Sequence, residues 1–152
     1  MIRSLALAAL AGARAISPLA AVSAAAARGE LPRDNGAPPL IGHPLVAAGA
    51  VTLAAGEMVG DKWSKSPDRI VASGMAARTV TGAVAAMSLA RRDQRLLAGV
   101  LGAGGAAVAA HLTFRARMAA LRRYGQAKTG FVEDALLLGA TTALMRGAKP
   151  AD

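Results

Sequence analysis

LLAGVLGAGGAAVAAHLTF, residues 96–114, carries no formal charge from end to end. As a helix rising 1.5 Å per residue it would reach about 29 Å, close to the roughly 30 Å hydrocarbon core of a bilayer. Its apolar residues do not gather on one stripe. A helix that is apolar all round is buried in a large protein or in a membrane.

Four more apolar runs flank it. Residues 4–27 are interrupted by Arg14 and Pro18, residues 44–60 only by Glu57, and residues 70–90 only by Arg78. Residues 131–145 are shorter, with Glu133 and Asp134 near the start. A chain of 152 residues cannot bury four such helices in one soluble core, which disfavours an alanine-rich soluble bundle. The reading is therefore an all-α, polytopic transmembrane bundle of four or five spans, forming one membrane domain over residues 1–152.

The connections are polar. Residues 28–44 hold four prolines and an Asn-Gly pair, residues 61–69 contain Ser66-Pro67, and Asp93 stands where it could cap the helix after it. Residues 115–130 form a basic extension that reads either as a solvated loop or as a segment lying on anionic lipid. No alternating strand pattern occurs.

Composition narrows the function classes. The net charge of +9 could serve nucleic acid, but the basic residues sit in short clusters between apolar runs and aromatics make up only 3%, so no nucleic-acid partner is expected. Cysteine is absent, which excludes disulfides and thiolate metal sites. No HExxH or GxSxG pattern occurs, and Gly102-Ala103-Gly104-Gly105 lacks the strand and the Lys-Ser/Thr of a phosphate loop. No enzyme, cofactor or metal is expected. His43 and His111 stand alone; His111 is a candidate proton group, although packing is the commoner role for such a histidine.

An internal repeat is expected. AGARAISPLAAVSAAAAR, residues 11–28, aligns with MAARTVTGAVAAMSLARR, residues 75–92. Arg14 meets Arg78, Ser17 meets Thr81, Pro18 meets Gly82, and Arg28 meets Arg92. The implied halves are 4–62 and 70–146. The repeat also argues against reading the first 28 residues as a signal or transit peptide, which their acid-free, Arg-bearing composition would otherwise suggest.

Arg14 and Arg78 fall near the centres of their runs, where an unpaired arginine is costly, so each should face protein, an acid or water. Pro18 frees a carbonyl one turn back, near Arg14. Arg78 shares an i, i+4 stripe with Gly74, Gly82 and Ala86, the closest-packing face of its helix. The available acids are Glu57, Asp61, Glu133 and Asp134. The expectation is that Glu57 and Glu133 neutralise the two arginines, in either pairing, with Asp61 and Asp134 nearer the rim. Glu133 and Asp134 near a helix start would also suit the macrodipole. These six residues are a possible transport site for an anion or protons, or else dry pairs that fix helix register.

Small-residue ladders, Ala98-Gly102-Ala106-Ala110, Gly99-Ala103-Ala107 and Ala48-Thr52-Gly56-Gly60, offer tight packing or a homo-oligomer seam. Five spans would place nine basic residues on the side of the N-terminus and seven on the other, a slight vote for a cytoplasmic N-terminus.

GARAISPLA, GEMVGDKWSKSPDR, AARTVTGA and FVEDALLLG resemble a bacterial membrane-protein family known as domain of unknown function 4126. The GExxGDK…SPxR piece is the most specific: Glu57, Asp61, Lys62, Pro67 and Arg69. The resemblance spans Gly12 to Gly139. It implies an integral membrane protein and no established activity; the expected location is the bacterial inner membrane. Transporter or channel, and non-transporting scaffold or assembly factor, both stay open.

Overall fold

The computed structural model describes residues 1–60 and 72–148. Within them the chain is helical: α1 Ile2–Ala13, α2 Ile16–Ala27, α3 Pro44–Gly60, α4 Ala72–Leu89, α5 Arg95–Tyr124 and α6 Gln126–Arg146. The only β pairing among the described residues is an isolated bridge, Asn35 to Arg91.

The first run is not one span. It breaks at Arg14, whose φ of −134° and ψ of 112° are extended. The cause lies four residues on. In a continuous helix the Pro18 ring would strike the Arg14 carbonyl; with the break, Pro18 sits in the first turn of α2, where its missing N–H costs nothing. The matching segment of the proposed repeat has Gly82 at that position and runs unbroken through α4. The two copies of the motif therefore adopt different backbones.

Past the break the chain doubles back. Leu7, Val22 and Ala25 share one buried cluster with Leu10, Leu19, Leu144 and Met145 against it. At the open end, Arg3 donates to the Gly147 carbonyl, and Arg28 lines a groove with Met145 and Arg146. The start of α1 and the end of α2 thus meet the same end of α6, and residues 2–27 form a hairpin with its tip at Arg14–Ala15. Each 12-residue arm is about 18 Å long, too short to cross a bilayer core alone. Helix α3 runs back along α2, bringing Glu57 to the tip.

Helices α1, α4 and α5 pack so closely that glycine is required where they meet. A Cβ at Gly82 would lie 2.4 Å from the Ala106 Cβ, one at Gly102 would lie 2.5 Å from the Ala86 Cβ, and one at Gly12 would lie 2.5 Å from the Ala106 oxygen. The ladder Ala98-Gly102-Ala106-Ala110 is the buried side of α5. The α3 ladder points the other way: Ala48, Thr52 and Gly56 are exposed, and Ala47, Ala50 and Ala54 are buried instead.

Residues 92–124 form the one stretch, among those described, that is both long and apolar enough to cross a membrane. Four or five spans of that kind are not found among the described residues. Helix α5 continues through the basic extension to Tyr124, where Gly125, at φ +79°, turns the chain into α6. The 115–124 stretch is therefore helix and not loop. Asp93 does not cap α5, whose N-cap is Gln94 without a side-chain bond; it lies 3.5 Å from Arg91 instead.

Candidate functional site

The hairpin tip interrupts helical hydrogen bonding at a defined place. In an unbroken helix the Gly12 carbonyl would accept from the Ile16 amide, and the Ala11 carbonyl from the Ala15 amide. Here the Ala15 and Ile16 amides donate instead to the two oxygens of the Glu57 carboxylate, at 3.0 and 3.1 Å. The Gly12 carbonyl accepts from the Arg78 Nε at 3.0 Å. A carboxylate from α3 and a guanidinium from α4 have taken the two halves of one broken helix bond. Each charge also suits its place, since anions are favoured at a helix N-terminus and cations at a C-terminus.

Arg14 forms the third part of this knot. Only 1% exposed, it donates through Nη1 to the Glu57 carbonyl at 3.0 Å and through Nη2 to Asp134 Oδ1 at 2.5 Å. Arg78 is 6% exposed and also donates to the Gly74 carbonyl at 3.0 Å. Its stripe is as expected: Gly82 and Ala86 are buried beside it. Ser17, the second residue of α2, is buried, and its hydroxyl has no hydrogen-bond partner among the described residues.

The acids take different partners from those expected. Asp134, expected at the rim, is buried and holds Arg14. Glu133 faces away from the knot and pairs with Arg117 at 2.5 Å. Adjacent helical residues point about 100° apart, so one can meet the hairpin only if the other does not. Both lie beyond the first turn of α6, which carries no acid, so the macrodipole reading of this pair does not apply. Glu57 meets Arg14 through its carbonyl and spends its carboxylate on α2. Asp61 lies outside the described residues. His111 is exposed on α5, its Nδ1 2.9 Å from the Ala107 carbonyl, and takes no part.

Two features escaped the sequence reading. The Arg117–Glu133 pair joins α5 to α6, although Arg117 belongs to the basic 115–130 stretch that by sequence reads as a solvated loop or a segment on anionic lipid. The hairpin itself had a signal: Leu7 and Val22, like Leu10 and Leu19, are placed symmetrically about Arg14–Ala15. With Pro18 just past that centre, the symmetry marks two short arms and not one span.

A family's sequence model matches residues 1–146, which takes in Arg14, Glu57, Arg78 and Asp134. The chain belongs to the family described as domain of unknown function (DUF4126). No curated protein and no solved structure matches it. The DUF4126 match thus brings no substrate or activity with it, and the chemistry of the knot has to be read from its own geometry.

Proposed function

We propose that this DUF4126 protein is a multi-pass protein of the bacterial inner membrane, in which residues 2–27 enter the bilayer part-way and return. We further propose that the hairpin tip is the proton- or anion-handling site of a small transporter or channel. Outward-facing Leu45, Leu53, Leu96, Val100, Phe131 and Leu136 support the membrane setting, since each is more than half exposed.

The observation that carries the functional part is the exchange at the tip, where Glu57 and Arg78 stand in for a broken helix bond. Non-helical backbone at membrane depth is tolerated only where protein buries it or water lines it. Half-helix ends aimed at charged groups are a recurring form of transport site. In this reading Glu57 is the exchangeable group. A small anion or water that displaces its carboxylate from the Ala15 and Ile16 amides takes its place on α2. Arg14 and Asp134 keep the tip in position. No enzyme activity is part of the proposal.

A second reading has its own support. Arg14 is almost wholly enclosed by protein groups, as expected of a dry ion pair that fixes packing in a scaffold. The chain has no cysteine, so single cysteines at Ser17 and Thr81 can be probed with a membrane-impermeant thiol reagent in sealed vesicles. Labelling at either position, with proton or anion flux that Glu57→Gln abolishes, supports the transport site. Absence of labelling and flux in a protein that resists carbonate extraction overturns it in favour of the scaffold.

A further inference from the structure

Beyond the hairpin tip, α5 and α6 splay apart, with the outer face of α1 at the base of the gap. The result is a groove of about 930 Å³, within the roughly 300–1,000 Å³ range of small-molecule sites. Its walls are apolar, with Leu10 on α1, Leu112 and Ala116 on α5, and Val132, Leu136 and Ala140 on α6. Tyr124, Lys128 and Thr129 lie by the α5–α6 turn, Arg117 and Glu133 about two helical turns further in, and Thr113 lines the far part with its hydroxyl bonded to the Ala109 carbonyl of its own helix.

We propose that this groove is a selective site for an anionic phospholipid, with one acyl chain along the apolar walls and the phosphate at Lys128. The proposal rests on the membrane setting argued above, but not on any transport role. Two observations favour lipid over a polypeptide or a second copy of the chain.

The first is length. From Glu133 to Ala140, past the Arg117–Glu133 pair, the groove is apolar for about 10 Å along α6, and Lys128 lies about 8 Å to the other side of that pair. That gives a polar end long enough for a phospholipid headgroup with its glycerol, and an apolar continuation for the upper part of one acyl chain.

The second is charge. Arg117 is engaged with Glu133 on the groove wall, whereas no carboxylate among the described residues lies within ion-pair distance of Lys128. The Thr129 hydroxyl beside it is buried without a hydrogen-bond partner. Arg122 and Arg123 occupy the last turn of α5, adding positive charge at the same end of the two helices. A basic pocket between membrane helices is a recognised way to hold an anionic headgroup.

The test uses the purified full chain in detergent, titrated with dioleoylphosphatidylglycerol or dioleoylphosphatidylcholine and read by native mass spectrometry. One phosphatidylglycerol should bind in preference to phosphatidylcholine. Lys128→Ala should cut that preference about fivefold, as expected for one basic residue near a lipid surface. Ala116→Phe, which fills the groove from an exposed position, should reduce binding of both lipids. Equal binding of the two lipids, or a preference that neither variant changes, overturns the proposal. So does a dimer whose formation Ala116→Phe prevents, because a second copy would then occupy the groove. Carbonate extraction of the unaltered protein from native membranes separates the two failures. A protein that stays in the pellet but shows no preference loses only the lipid site; one that is extracted loses the membrane setting as well.

Discussion

Two buried arginines on apolar runs announce a charged core, and the structure places both within one knot. Their partners were harder to read. Whether Glu133 or Asp134 meets Arg14 depends on the rotation of α6, which buries Gly130, Asp134, Leu137 and Thr141 as one stripe and leaves Glu133 to the side. Arg78 takes the Gly12 carbonyl, which is a free acceptor only because Pro18 breaks the helix, so its partner follows from the break and not from residue spacing. These roles predict a graded response in detergent-solubilised protein. Asp134→Asn removes the anion from a buried charged hydrogen bond and should cost about 2–4 kcal/mol of stability. Glu57→Gln keeps one acceptor oxygen for α2 and loses the second along with the charge, so about 1–2 kcal/mol is expected. The double variant Arg14→Met, Asp134→Leu should recover most of the loss from Asp134→Asn, since apolar replacement of a buried pair is often close to neutral. Denaturant unfolding followed by circular dichroism would measure all three. A double variant as unstable as Asp134→Asn would mean that the pair does more than cancel its own burial.

At the scale of elements, the helical class and most helix positions were legible, because each apolar run has a helix in it. Length was misread in the first run, where composition looks continuous and one proline decides otherwise. The ladders were half legible. Spacing finds a small-residue stripe but not the direction it faces, and the stripes on α5 and α3 face opposite ways. Contact geometry makes a testable distinction among the glycines of α5. A Cβ on Gly102 would lie 2.5 Å from the Ala86 Cβ and 2.8 Å from the Gly82 oxygen, whereas one on Gly104 or Gly105 meets nothing within 4 Å. Gly102→Ala should therefore destabilise by about 1–3 kcal/mol through overpacking. Gly104→Ala and Gly105→Ala should each stabilise by about 0.4–1 kcal/mol, because helical φ suits alanine and the unfolded chain loses freedom. Melting temperatures of the three variants would settle the order. A Gly102→Ala protein as stable as the parent would place the α1–α4–α5 contact elsewhere.

For the whole molecule, in the membrane setting proposed above, the hairpin changes which residues share a face of the bilayer. Five consecutive spans put residue 2 on the side of Tyr124 and opposite Arg33. The hairpin returns residue 28 to the end where residue 3 begins, so residue 2 and Arg33 belong together and Tyr124 lies at the far end of α5. The change also removes the charge asymmetry used for orientation. With the other basic residues left on the sides that five spans would give them, moving Arg3 across turns nine against seven into eight against eight, and the positive-inside rule then favours neither orientation. Orientation then has to come from labelling. Ile2→Cys, Arg33→Cys and Tyr124→Cys replace exposed residues in a chain without cysteine. In sealed vesicles of one orientation, an impermeant thiol reagent should label the first two from one side and the third only from the other. If Ile2→Cys labels with Tyr124→Cys and against Arg33→Cys, residues 2–27 cross the membrane. The tip would then not be the turning point of a hairpin, and the exchange of Glu57 and Arg78 for a helix bond would have to be read as a kink within a span.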